Sequence, residues 1–441
     1  MAPSAPTARV RLEGLFGHAL AAVHGGRAVA RVLEQGASGL RVAGERIPSA
    51  AGLQVAAIGK AAVPMARALE DLAGHRVRGG LVITREGHAD PPPHQLTLRE
   101  ASHPLPDARG EAAARELLAL VRTAPASDVL VVLLSGGASA LTSCPSPGLS
   151  LDDLAATTST LLACGADIAQ LNVVRKHLSE FSAGRLAVAA SCRRVLVLAL
   201  SDVPGDALAV IGSGPCIGDP SRFEDALQVV DDYGLREQLP AAVVAHLEAG
   251  VAGARPESPK PGDPVFERVR HFLVGCNADA RAAVVRAARA TGVCAIDLGE
   301  LLGGEASGAG RRLVARARQA RSDAPVVLVA GGETVVTLRG QGRGGRSQEL
   351  ALAAAIELAD AGEGIALLAA GTDGQDGPTD AAGAFVDAGT LGAGSEAGVD
   401  AAACLARNDA YGFFAAAGGL VRTGPTNTNV MDLVLISVDA V

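Results

Sequence analysis

Only three of the 39 basic residues in the chain are lysines, Lys60, Lys176 and Lys260. A lysine here therefore marks a place that wants a compact ammonium, which a guanidinium cannot supply. Lys60 follows the apolar run VAAIG and opens the helical pattern AAVPMARALEDL, so an anion can be held where strand meets helix. Lys176 lies in LNVVRKHLS with Asn172, Arg175 and Ser179 within helical reach, either as an anion-binding pair or as a solvated face. Lys260, in ESPKPGDP, reads as solvated.

Other reactive residue types gather in glycine-rich words. Ser135-Gly136-Gly137-Ala138-Ser139-Ala140 follows VLVVLL; its small residues let backbone amides approach phosphate oxygens, though it is no Walker loop because no lysine follows. VLVLAL delivers Ser201-Asp202-Val203-Pro204-Gly205-Asp206, with Gly212-Ser213-Gly214-Pro215 soon after. Two carboxylates there suit Mg²⁺, which takes one or two protein carboxylates plus water and phosphate oxygens; turn chemistry accounts for the same residues. Further on, Gly331-Gly332-Glu333-Thr334 and TVVTL lead to Arg339, Arg343 and Arg346, and Gly340, Gly342 and Gly345 satisfy G-x-G-x-x-G. Three guanidiniums and no acidic residue at the usual distance favour a clamp on phosphate or carboxylate over a dinucleotide site, with Arg346 best placed. Finally IALLAAG empties into Thr372-Asp373-Gly374-Gln375-Asp376-Gly377-Pro378-Thr379-Asp380, whose carboxylates suit a metal or hydroxyl but lack the spacing of a calcium loop. Thr423 to Asn429 adds an uncharged polar loop.

The elements that must position these words are short apolar runs alternating with helical patterns. VAAIG, GLVIT, VLVVLL and VLVLAL are continuous rather than alternating, as strands buried on both faces are. ARGEAAARELLALVR and LDDLAATTSTLLACGAD between them carry helical spacing, and the pattern predicts a doubly wound, mainly parallel α/β sheet. The proline-rich stretch 251–264, VAGARPESPKPGDP, reads as a linker or surface crossover. Beyond it FLVG, VCAID, VVLVAGG, TVVTL, IALLAAG and LVLISV, with helices DARAAVVRAARATG and SQELALAAAIELADAG, predict a second, smaller α/β domain.

Composition narrows the classes of function. A formal charge of −8 and a pI near 5.6 argue against a general nucleic-acid binder. No secretion-signal core stands in MAPSAPTARVRLEGLF, and no stretch approaches the ~18 apolar residues of a membrane span, so a cytoplasmic protein is expected. Seven scattered cysteines without a C-x-x-C pair fit reduced thiols. With no Trp, two Tyr and eight Phe, the core must be built from small aliphatic side chains and the pockets lined by polar groups and glycine.

In this order, IGKAA, SHPLPD, LLSGGASAL, LNVVRKHLS, GRLA, SDVPGD, SGPC, AGGET, GGRSQELAL, GTDGQDGPTDAAGA and TGPTNTNVMDL resemble the glycerate 2-kinase family over nearly the whole chain. The resemblance implies a Rossmann-like N-terminal domain, here 1–255, and a C-terminal MOFRL domain, here 265–441, with the active site in the cleft between them. It implies phosphorylation of D-glycerate by ATP to 2-phosphoglycerate with Mg²⁺ or another divalent cation. The family's essential lysine falls on Lys60 and its arginine on Arg346. Ser135, Gly136, Gly137 and Ser139, with Asn172, Lys176 and Gly214, would meet the nucleotide; Asp202, Asp206, Glu333, Asp373 and Asp376 would serve metal or substrate. Ala138, Ser347 and Cys216 stand where Gly, Asn and Thr are common, and Asn427 and Met431 replace residues usually Gly and Asn. Two rival readings are an NAD(P)H-dependent hydroxypyruvate reductase, resting on the Gly340 loop, and a nucleotide-binding regulator without turnover. A homo-oligomer is compatible with the sequence.

Overall fold

The computed structural model describes residues 7–37, 39–359 and 364–440; the end of the SQELALAAAIELADAG pattern lies outside them. The chain forms two compact units. One comprises Gly25–Ser201 and Asp206–Val274; the other comprises the N-terminal helix Ala8–Val23, Asp202–Gly205 and the chain from Gly275 onward.

The first unit is built on a six-stranded sheet ordered Thr97–Ala101, Val77–Arg85, Leu53–Ile58, Val129–Leu134, Arg194–Leu200 and Val269–Gly275. The four pairings among the first five strands are parallel. The two central strands, Leu53–Ile58 and Val129–Leu134, are buried throughout, which is why their sequences read as continuous apolar runs. The chain starts at Leu53–Ile58, winds outward to Thr97–Ala101, then returns to wind the other way from Val129–Leu134. That reversal is a topological switch point, where loops at the carboxyl ends of adjacent strands part and leave a crevice. Register aligns it: Ile58 pairs with both Ile83 and Leu134, so Gly59-Lys60 and Ser135-Gly136 emerge side by side. A small antiparallel sheet, Leu33–Gly36, Gly39–Val42 and Glu45–Arg46, belongs to the same unit.

The second unit has a six-stranded mixed sheet ordered Cys294–Asp297, Val326–Gly332, Asp432–Val438, Ile365–Gly371, Gly383–Val386 and Leu420–Val421. Only its first pair is parallel; Asp432–Val438 runs antiparallel between its two neighbours. All three of those strands are buried along their length, because helices cover both faces. Ala306–Gln319 and Arg346–Leu358 pack on one face through Ala306, Ala309, Ala351, Ala354 and Ala355, the close packing of small side chains that the composition demands. No helix among the described residues is long and apolar enough to cross a membrane.

Several expectations are corrected. The expected domains 1–255 and 265–441 differ from the compact units at both ends. The helix Ala8–Val23 packs against Asn277–Ala290 and the second sheet, covering a face that would otherwise be wet. FLVG belongs to the edge strand Val269–Gly275 of the first sheet, so the chain leaves the first unit at Val274 and the proline-rich stretch 251–264 is a crossover within it. TVVTL is not a strand: Val335 makes one isolated bridge, to Glu305. LDDLAATTSTLLACGAD is a helix Leu151–Ala163 followed by a turn, and its Asp167 caps the next helix, Ile168–His177.

Candidate active site

In the first unit the switch point is held together by hydrogen bonds between the two emerging loops. Lys60 N–H donates to the Gly136 carbonyl (2.9 Å) and Ser135 N–H to the Ile58 carbonyl (3.0 Å). Ser135 Oγ accepts from the Ala61 N–H (3.1 Å) and is fully buried, so it staples the two loops. Gly59 has φ +121°, and a β-carbon there would lie 2.2 Å from Ser135 Oγ. The sequence thus needs glycine before Lys60 for both conformation and space. Gly59→Ala is expected to destabilise the protein by about 3 kcal/mol or more, measured as a drop in urea midpoint; an unchanged midpoint would refute this packing.

Lys60 itself is 8% exposed. Its stem and the His103 ring both line Gly137, at 3.5 and 3.0 Å from where a β-carbon would stand, and Gly137 has φ +87°. The sequence reading did not single out His103, although it lies within SHPLPD. Ser139 Oγ is 2.8 Å from Ser213 Oγ, which ties the glycine loop to Gly212-Ser213-Gly214, three consecutive residues with positive φ. Asp206, also at positive φ, has a buried Oδ1 without a hydrogen-bond partner among the described residues. Lys60, Gly136, Gly137, Ser139 and Gly214 are thus brought to one neighbourhood.

Lys176 faces a carboxylate of its own unit. Its Nζ is 3.4 Å from Asp219 Oδ1, and the buried Asp219 also accepts from Ser221 and Ser258. Asn172 is half-buried one turn earlier on the same helix. Lys260, expected to be solvated, donates to Ser258 Oγ (2.8 Å) and the Ser221 carbonyl. Two of the three lysines therefore anchor the crossover.

In the second unit, Arg346 begins the helix Arg346–Leu358 and is bound by Asp432, with Nε to Oδ2 at 2.6 Å and Nη2 to Oδ1 at 3.1 Å. Nη1 donates to Glu333 Oε1. Burial works against the charge, but Asp432 and Glu333 outweigh it and hold the guanidinium pKa above its ordinary value. Asp432, 4% exposed, escaped the sequence reading; its signal is a carboxylate heading a fully buried strand. Asp373 Oδ1 and Asp432 Oδ1 both crowd Gly371, at 3.3 and 3.4 Å from a notional β-carbon. Asp202 falls in this unit, where its Oδ2 accepts from Asn429 Nδ2 at 3.0 Å, whereas Asp206 falls in the other.

Asp376 uses both oxygens on the start of the same helix, accepting from Ser347 N–H (3.0 Å) and Gln348 N–H (2.8 Å). These amides are where a dinucleotide pyrophosphate would bind, and the protein fills them with its own carboxylate. Gly340 and Gly342 press against Arg407, and Arg343 stacks on Tyr411. The G-x-G-x-x-G match is thus a packing motif, and of the three loop arginines only Arg346 engages a carboxylate pair. Among the described residues no group of three or more His, Cys, Asp or Glu side chains is arranged to hold a metal ion.

Burial, with the neighbouring Asp432 charge, pushes Asp376 up to about 7 despite its two amide donors and Arg346. The folded state then holds a proton that the unfolded chain releases near the ordinary value of 3.8. Stability from this group is complete below that value and is lost as pH rises through about 7. Asp376→Asn is expected to flatten the fall in stability between about pH 4 and 7, read from urea midpoints across that window; an unaltered slope would contradict the assignment.

Two of the five departures noted in the sequence have a conformational reading. Asn427 and Met431 adopt φ +59° and +68°, the left-handed region that Gly and Asn tolerate best.

These features define a class: a two-unit α/β protein with a nearly buried lysine at a Rossmann-type switch point and an arginine–carboxylate cluster in its second unit. The chain belongs to the glycerate 2-kinase family. The Domain of unknown function (DUF4147) matches residues 11–248 and the MOFRL family matches residues 326–432. It is 38% identical to a glycerate 2-kinase of Pyrococcus horikoshii over 96% of this chain and 95% of that protein. It is 40% identical to a D-glycerate 2-kinase of Thermotoga maritima, over 86% and 89% of the two chains. The crystal structure of a Thermotoga maritima glycerate kinase superposes with a TM-score of 0.82 at 36% identity, covering 97% of this chain and 98% of that one.

Proposed function

We propose that this protein transfers the terminal phosphoryl group of ATP to the 2-hydroxyl of D-glycerate, giving 2-phosphoglycerate and ADP. The observation that carries the reading is the nearly buried Lys60 at the switch point, beside Gly136-Gly137. Relatives at 38 and 40% identity that bear glycerate 2-kinase names support it.

The reaction breaks the bond between the γ-phosphorus and its bridging oxygen and forms one to the glycerate oxygen, whose proton must leave. Phosphoryl transfer depends on positioning and on charge opposite the transferring oxygens. In this reading Lys60 supplies a compact positive charge to phosphate oxygens, and the Gly136-Gly137 backbone lets them approach. Arg346, braced by Asp432 and Glu333, offers a guanidinium of fixed orientation to an anionic substrate group. Asp206, with its unpaired Oδ1, fits as the carboxylate that meets the acceptor hydroxyl or the cation. The cation would arrive as MgATP, since Mg²⁺ needs few protein ligands when phosphates complete its shell. Asp376, occupied by the helix amides, is left out of that role. The setting proposed is the cytoplasm, where ATP is the phosphoryl donor.

ATP, Mg²⁺ and D-glycerate with enolase as the sole coupling enzyme test this directly, because enolase accepts the 2-phosphate and not the 3-isomer. A signal establishes reaction and position together. Consumption of NADH with hydroxypyruvate, and none of ATP with glycerate, would overturn the proposal in favour of the reductase.

A further inference from the structure

Three adjacent parallel strands of the first sheet, Leu53–Ile58, Val77–Arg85 and Thr97–Ala101, end at the same edge. Lys60, two residues beyond the first of them, serves the proposed transfer. His103, two residues beyond the third, is left idle by it.

Close packing carries His103 to the glycine loop. Gly110, in the helix Ala108–Thr123, lies between the end of strand Thr97–Ala101 and the short helix Ala138–Leu141 that follows Gly137. A β-carbon at Gly110 would stand 2.8 Å from the Leu141 carbonyl oxygen and 3.4 Å from Ala101 Cβ, so only glycine lets strand end and loop come this close. The segment that bears His103 is closed by Asp107, whose carboxylate accepts from the Gly110 N–H (3.0 Å), from Arg109 Nε (2.7 Å) and from the Ser102 N–H. The His103 ring then occupies the space a side chain at position 137 would take: Cδ2 and Nε2 lie 3.0 and 3.1 Å from the notional β-carbon, and Cγ of Lys60 lies 3.5 Å from the same point. The ring thus turns toward Gly137 the edge that bears Nε2, a nitrogen able to donate a hydrogen bond. His103 is half-buried, held by the fold without being sealed into it.

We propose that His103 is a further phosphate-contacting residue of the switch point, its Nε2–H donating to a nucleotide phosphate oxygen that approaches over Gly136-Gly137 beside Lys60. This rests on the reading of the switch point as the place of the ATP phosphates. The position suits a donor better than a proton-abstracting base. A base there would finish the step as a second cation in the crevice of Lys60, which like charge opposes, whereas a donor keeps its charge throughout.

Calorimetric titration of the full-length protein with MgATP tests the contact without reference to turnover. The wild type is expected to bind. His103→Phe keeps a ring against Gly137 and removes the donor, and should bind at least about tenfold more weakly, the worth of a hydrogen bond to a charged group. His103→Gln, whose amide supplies an N–H at similar reach, should stay within about threefold of wild type. In the enolase-coupled assay the loss for His103→Phe should appear in kcat/KM for ATP and leave the KM for D-glycerate within about twofold, a split that a merely structural role does not give. If His103→Phe binds MgATP as the wild type does, His103 only packs against the loop and the proposal fails while the kinase reading stands. Equal impairment of the Phe and Gln variants, both melting as the wild type does, overturns it as well. The expected order of binding with no enolase-coupled signal from the wild type removes the kinase reading and keeps His103 at the nucleotide; no binding by the wild type removes both.

Discussion

Replacing Lys60 by alanine should lower kcat in the enolase-coupled assay by about 10²–10³-fold, the usual cost of removing one charge-stabilising group from a transition state. The side chain is 8% exposed, and its stem packs beside Gly137. Its loss should therefore also cost about 1 kcal/mol of stability, far too little to unfold the protein under assay conditions. Lys60→Arg should recover little: a planar guanidinium presents its charge over a broad fork where the site uses a compact ammonium. Turnover within a few-fold of wild type for Lys60→Ala, with thermal melting unchanged, would remove Lys60 from the reaction.

Arg346→Ala should have the second large effect, and a mixed one. The guanidinium offsets Asp432, which is 4% exposed, together with Glu333. Removing it strands a buried carboxylate, and for a partly exposed pair the loss should be about 1–3 kcal/mol. Turnover should fall about 10²-fold or more, since the cation presented to substrate is gone. Arg346→Lys separates the two roles: an ammonium can neutralise Asp432 but cannot bind both of its oxygens and Glu333 at once. It should restore most of the stability and little of the turnover. If Arg346→Lys retains wild-type kcat, orientation of the fork does not matter and the proposed role for Arg346 fails.

Much of this molecule was legible before any coordinates. Continuous apolar runs located the central strands because a strand buried on both faces must be apolar at every position. Lys60 stood out because the chain almost never uses lysine, and Arg346 because it opens a helix after a glycine-rich loop. The same logic is silent on strand direction. The runs VVLVAGG, IALLAAG and LVLISV are just as continuous, and their burial comes from helices on both faces of an antiparallel arrangement. Lys176 pairs with Asp219, 43 residues further along, a partner that a charged pair on a helix does not announce.

By itself the sequence determined most of the strands and which residues sit at their ends. Those are consequences of local periodicity and backbone sterics, which act over a few residues. Only the tertiary structure decided the strand order that creates a switch point beside Lys60, the union of helix Ala8–Val23 with the second sheet, and the clasp of Arg346 by Asp432, 86 residues away. Each depends on which apolar faces and which charges meet after the chain has folded back on itself, and pairing across such distances leaves no imprint on the pattern of neighbouring residues.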